Sequence, residues 1–124
     1  LVITIGLLFS FYKEGDAKVE VIINKEPPTI LESISFYAKK YAVDEIKMVK
    51  LANCESGLKP NAVNKRDPQG GSVGLFQFQP STFERYSKEL GEELDIWSYH
   101  DQAKVTAYMI SKGQIKQWSC ARKI

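Results

Sequence analysis

Residues 54–83 read Cys54-Glu55-Ser56-Gly57-Leu58-Lys59-Pro60-Asn61-Ala62-Val63-Asn64-Lys65-Arg66-Asp67-Pro68-Gln69-Gly70-Gly71-Ser72-Val73-Gly74-Leu75-Phe76-Gln77-Phe78-Gln79-Pro80-Ser81-Thr82-Phe83. Gly57 stands where a helix should end, because glycine tolerates the left-handed conformation of a C-terminal cap. Glu55 therefore falls in the last turn of the preceding helix. Residues 57–74 form a long loop, punctuated by Pro60, Pro68, Gly70, Gly71 and Gly74. Pro80-Ser81 opens the next helix, and Ser81 with Glu84 has capping-box spacing.

Upstream of this stretch, Thr29 and Glu32 have the same capping-box spacing. Ile30, Ile34, Tyr37, Ala38 and Tyr41 then recur at helical intervals. Asp44 can cap a second helix whose apolar side carries Ile46, Val49 and Ala52, with Asn53 beside them. Downstream, Asp101 begins a fourth helix with Ala103, Ala107, Tyr108 and Ile110 on one side, and Gly113 closes it. A last turn carries Trp118 and Cys120. The expected fold is a mostly α, compact helical domain over residues 29–124, with a long loop after the helix that bears Glu55. Trp97 and Trp118 are expected in its core.

The chain has 124 residues, 44% hydrophobic and 26% charged, an ordinary balance for one globular domain. A net charge of +2 is too weak to argue for nucleic acid. The Lys39-Lys40 pair and the Lys112, Lys116, Arg122, Lys123 group read as solvated faces. A mild positive charge still favours approach to an anionic polymer. Residues 1–12 contain no charge, and the chain turns abruptly polar at Lys13. They are expected to be a truncated signal peptide or a membrane anchor, the alternative being a buried strand. Residues 13–28 are expected to be a linker or N-terminal arm, with a short extended segment at Val19–Ile23 and a stop at Pro27-Pro28. Cys54 and Cys120 are the two cysteines, and His100 is the single histidine. Neither cysteine has a partner at metal-ligand spacing, so no metal and no cofactor are expected. In an exported chain an even pair reads as a disulfide, with two buried free thiols as the alternative.

The Glu-Ser-Gly tripeptide at a helix end, the Pro60-Asn61-Ala62-Val63-Asn64 turn, the Gly74-Leu75-Phe76-Gln77 motif and the following Pro80-Ser81-Thr82-Phe83 occur in a fixed order. Over residues 30–121 this ordered set resembles the soluble lytic transglycosylase (SLT-like) family of the lysozyme-like superfamily. The resemblance implies an extracytoplasmic enzyme, secreted or membrane-anchored, that cuts the glycan strands of peptidoglycan as a monomer. It implies that Glu55 protonates the leaving oxygen of the MurNAc–GlcNAc bond and then takes the proton of the muramyl C6 hydroxyl, giving a 1,6-anhydro product. The chemistry suits the residue: a carboxyl delivers a proton near neutrality when apolar surroundings raise its pKa, and Leu51, Leu58, Leu75 and Phe76 are close in sequence or motif. A plain solvated glutamate would sit unfavourably at a helix C-terminus.

The resemblance also implies that Gln77 lines the glycan groove, the alternative being a polar residue that caps the following turn. Ser56 either hydrogen-bonds near the carboxyl or the substrate, or packs at the helix end. Gly74 is expected to let backbone approach Glu55 or the sugar closely. Asn64 either braces the loop or faces substrate, and Phe78 and Tyr108 offer stacking faces or core packing. The family's late Ala-Tyr-Asn motif is matched only by Ala107-Tyr108-Met109, so Tyr108 does not inherit that tyrosine's role. Two competing readings follow. Asp67, the other acid of the loop, would make the enzyme a water-using muramidase if it reached the far side of the sugar; otherwise Asp67-Pro68 starts a turn. A wall-binding module without catalysis is the third possibility.

Overall fold

Helix boundaries follow the capping chemistry closely in the structure, a computed structural model that describes residues 5–11, 17–23 and 26–124. Strand β1 (Ile5–Phe11) pairs antiparallel with β2 (Ala17–Ile23), from Ile5 opposite Ile23 to Phe11 opposite Ala17. Of the expected export segment and arm, residues 1–4, 12–16 and 24–25 lie outside the described residues. Among the described residues, no helix is long and apolar enough to cross a membrane.

Helix α1 (Ile30–Tyr41) starts with the capping box, Glu32 N–H donating to Thr29 Oγ1 and Thr29 N–H donating to the Glu32 carboxylate. Helix α2 (Glu45–Ser56) starts at Asp44, which accepts from Lys47 N–H, and ends at Gly57 with φ 64°. Its buried face is Met48, Leu51 and Ala52, whereas Ile46 is 68% exposed. Of the apolar residues expected on this helix, Ala52 is buried and Val49 packs against the core, and Ile46 alone is off the buried face. The residue at the next helical step along that face is Glu55.

The long loop after α2 contains two short strands, β3 (Val63–Asn64) and β4 (Ser72–Val73), paired Val63 to Val73 and Asn64 to Ser72. Helix α3 (Pro80–Leu90) has Gln79 as its N-cap and Pro80 in its first turn. Ser81 is thus not the cap its spacing suggested. Proline's fixed φ and missing N–H favour the first helical position, which moves the cap two residues back, from Ser81 to Gln79. Helix α4 (Tyr99–Ser111) is capped by Ser98, whose hydroxyl accepts from Asp101 N–H. Asp101 therefore lies inside the first turn and does not begin the helix. Two 3₁₀ turns, Ile115–Gln117 and Ser119–Lys123, close the chain.

Helix α4 is the centre of the molecule. It packs most extensively against α1 and buries Gln102 through Ala107 and Met109. The core around it joins Ile34, Met48, Leu51, Leu75, Phe76, Phe83 and Trp118. Trp118 is buried as expected, but Trp97 is 50% exposed. Trp97 precedes the Ser98 cap, in the irregular link between α3 and α4, where no helical face carries it inward. Cys54 and Cys120 form a disulfide across a sequence separation of 66, joining α2 to the last 3₁₀ turn. The whole is a mostly helical, lysozyme-like domain.

Candidate active site

Glu55 reaches a cavity of about 250 Å³ between the end of α2, the β3–β4 loop, the start of α3 and the C-terminal turns. Its neighbour Cys54 ties this helix end to Cys120, and Cys120 N–H donates to Glu55 Oε1 at 3.2 Å. Burial pushes the Glu55 pKa above its ordinary value, the Cys120 N–H and the Lys123 charge pull it back in part, and the Asp67 charge adds to the rise. The result is a carboxyl held in its protonated form to higher pH than usual.

Asn64, Gln77 and Phe78 line the same cavity. Gln77 adopts a left-handed backbone at φ 52°, and its amide donates to Ala62 O at 3.1 Å and Gly74 O at 2.9 Å. With both amide hydrogens used, its carbonyl oxygen is the group left for a ligand. Asn64 Oδ1 accepts from Arg66 N–H at 3.1 Å and so braces the loop as well. Phe78 is 2% exposed and forms cavity floor, with its ring edge-on to Phe83 and Trp118.

Three expected residues are elsewhere. Ser56 Oγ donates to Ala52 O and accepts from Lys59 N–H, so it secures the helix end. Tyr108 packs edge-on between Tyr41 and Tyr86 and its hydroxyl points to Glu89, away from the cavity lining. Gly74, at φ 82°, makes room for a different neighbour than expected: a Cβ there would lie 2.0 Å from Gln102 Nε2. The close approach is to α4 and not to Glu55 or to a sugar.

Several cavity residues were not anticipated. Ser72, Gln79, Thr82, Met109, Gln117, Ser119 and the inner side of Trp118 complete the lining. Ser72 and Thr82 fall within the motifs quoted above, which is the only signal that marked them. Asp67 also lines the cavity. Its carboxylate accepts from Ser72 Oγ, from Gln79 Nε2 at 2.7 Å and from Gln69 N–H at 3.4 Å. The Ser72 hydroxyl, with Gln79 and Gln69 behind it, holds the Asp67 pKa below its ordinary value. Among the described residues no group of His, Cys, Asp and Glu has the makings of a metal site.

A small helical lysozyme-like domain with a half-buried glutamate at the end of a helix, facing a polar groove, defines a class of glycan-cleaving enzymes. The family model Transglycosylase SLT domain matches residues 32–112, and the chain belongs to that family. Its activity is lytic-transglycosylase-type cleavage of peptidoglycan, a substrate outside the cytoplasm. No curated protein and no solved structure matches the chain.

Proposed function

We propose that this protein is a lytic transglycosylase that breaks the MurNAc–GlcNAc β-1,4 bond with Glu55 as its acid and base. The observation that carries the reading is Glu55 itself, half-buried at the cavity with its pKa raised by burial. Protonated Glu55 donates to the glycosidic oxygen, and the bond from that oxygen to the muramyl C1 breaks. The resulting carboxylate takes the proton of the C6 hydroxyl, whose oxygen bonds to C1. The product is a 1,6-anhydro end, no water is consumed, and Glu55 is protonated again. Gln77, Asn64 and Phe78 form the substrate groove around it.

A second reading, a muramidase, draws support from the position of Asp67 on the same cavity. Digestion of purified sacculi followed by mass spectrometry separates the two. Anhydro-muropeptides are the expected product, and reducing ends alone would sink the transglycosylase reading. A wall-binding module without catalysis predicts no cleavage by either the wild type or Glu55→Gln, with binding by both.

The protein acts as a monomer at the cell envelope. The charge-free stretch at residues 1–12 supports export or anchoring there, although Ile5–Phe11 within it is a strand. Fractionation of expressing cells tests this: recovery of the protein in the cytosol alone would contradict it.

A further inference from the structure

Asp67 is held in a way that a turn does not require. Its backbone carbonyl accepts from Gly71 N–H at 3.2 Å and its Oδ1 from Gln69 N–H, and these bonds alone define the turn. Two further donors come from outside it. Ser72 is 4% exposed and donates its hydroxyl from β4 to Oδ2. Gln79 occupies the N-cap of α3 yet makes no side-chain capping bond; its amide goes to Asp67 Oδ1 instead. Three elements thus converge to fix one carboxylate at the cavity wall. A carboxylate has about four lone-pair positions. Two donors sit on Oδ1 and one on Oδ2, so one acceptor position on Oδ2 remains for whatever enters the cavity.

Among the described residues, Glu55 and Asp67 are the only acidic or basic side chains in the lining of this cavity. The other charges near Glu55 are Lys123, on the last 3₁₀ turn, and Asp67 itself. Lys65 and Arg66 flank Asp67 in sequence, are exposed, and do not line the cavity. Two carboxyls in one cleft, one half-buried and one held by three donors, are the arrangement in which one stays protonated while the other stays charged.

We propose that Asp67 is a second catalytic residue, a fixed anion held by Ser72 and Gln79 whose free acceptor position faces the sugar and stabilises the positive charge that builds on its ring as the glycosidic bond breaks. This rests on Glu55 being the acid. It holds whether water or the sugar's own hydroxyl completes the reaction, since both routes pass through the same charge build-up. It requires no covalent bond to Asp67.

The test is the pH profile of kcat/KM on purified peptidoglycan for wild type, Asp67→Asn, Ser72→Ala and Glu55→Gln, with Tm recorded for each. Asp67→Asn should lower kcat by about 10²–10³-fold, in line with the loss of a preorganised charge, with KM changed less than about threefold. Its acid limb should vanish, and its alkaline limb should move to lower pH, because removing a negative neighbour makes Glu55 easier to ionise. Ser72→Ala should leave the anion in place but move the acid limb to higher pH. A role confined to the turn would lower Tm and leave the acid limb where it is, since the alkaline shift follows from the lost Asp67 charge alone. Wild-type kcat in folded Asp67→Asn, or an unmoved acid limb in folded Ser72→Ala, overturns the proposal. If Asp67→Asn does not fold, Ser72→Ala decides. Full activity in Glu55→Gln would remove the underlying reading, whereas loss of activity there with full activity in Asp67→Asn removes only this one.

Discussion

The end of α2 and the Gln102 site on α4 both bring a polar side chain to the interior, and they do so with opposite completeness. Gln102 on α4 is fully buried and fully partnered: Oε1 accepts from Phe76 N–H at 2.9 Å, while Nε2 donates to Val73 O at 3.0 Å and Ile96 O at 2.6 Å. Lys104 pairs with Glu92, and both ring nitrogens of His100 are hydrogen-bonded, to Ser33 and Tyr37. Glu55 on α2 is half-buried and has a single protein donor, the Cys120 N–H. A buried polar group with every bond made stabilises one conformation. A half-buried carboxyl with one donor leaves its proton available. Gln102 and Glu55 thus differ in how many partners the protein supplies as well as in depth of burial.

Replacing the under-partnered group should abolish activity and spare the fold. Glu55→Gln should lower kcat by about 10²–10⁴-fold, the usual worth of a positioned acid, with binding to sacculi retained. Turbidity clearing and pull-down on the same wall preparation check this. Clearing at the wild-type rate would break the comparison at its functional end.

The disulfide bears on the first of these sites, since it tethers the turn that carries the one donor Glu55 has. Cys54→Ser with Cys120→Ser should destabilise the fold by about 4 kcal/mol on the chain-entropy account, seen in urea unfolding. It should also move the alkaline limb of the activity profile to higher pH. The Cys120 N–H and Lys123 both favour ionised Glu55, and both sit on the turn that the bridge tethers. An unshifted limb in the folded double variant would show that the donor stays in place without the bridge.

The fully partnered region should behave in the reverse way. Gln102→Leu keeps approximate volume but leaves Phe76 N–H and Ile96 O without their partner, while Val73 O keeps the Phe78 N–H. A loss of about 2–3 kcal/mol is expected, with the pH limbs of the residual activity unmoved. Gly74→Ala should act on the same contact, because its methyl would meet the Gln102 amide. A stability change in either variant below about 0.5 kcal/mol would mean that Gln102 is not the staple between α4 and the loop.

This division also sets what could be read in the sequence. The cap at Thr29, the stop at Gly57 and the position of Glu55 in a last turn are local, carried by residues three or four apart, and they stand as expected. On α2, Ala52 is buried and Val49 packs on the core, but Ile46 is exposed although apolar, and Met48 is buried in its stead. Ser81 had the spacing of a cap, and Pro80 displaced it. Gln102, Gln79 and Ser72 were overlooked because their importance lies in partners 26, 12 and 5 residues away. A glutamine opposite a glycine leaves no periodic signal. Gly74 was recognised as a close approach, but the partner of that approach is a tertiary fact.

The smallest expected effect tests the sign of the electrostatics at Glu55 without reference to turnover. Its folded-state pKa is raised, chiefly by burial. The stabilisation associated with its proton is therefore fully present below the ordinary glutamate value and is lost as pH rises through the raised folded value. Above that point the wild type carries a partly desolvated charge that Glu55→Gln lacks. The variant should match the wild type in Tm at low pH and exceed it at neutral pH. Because Glu55 is only half-buried, water screens part of the cost, and the gain should stay below about 1 kcal/mol. Asp67 works in the opposite sense: its pKa is lowered, so its contribution is present above the ordinary aspartate value and fades as pH falls through the folded one. Asp67→Asn should therefore narrow its Tm deficit towards acid pH, while Glu55→Gln widens its advantage towards neutral pH. If the two Tm differences moved with pH in the same direction, the two carboxyls would not be in contrasting environments, and the contrast between protonated and ionised partners in one cavity would fail on stability grounds alone.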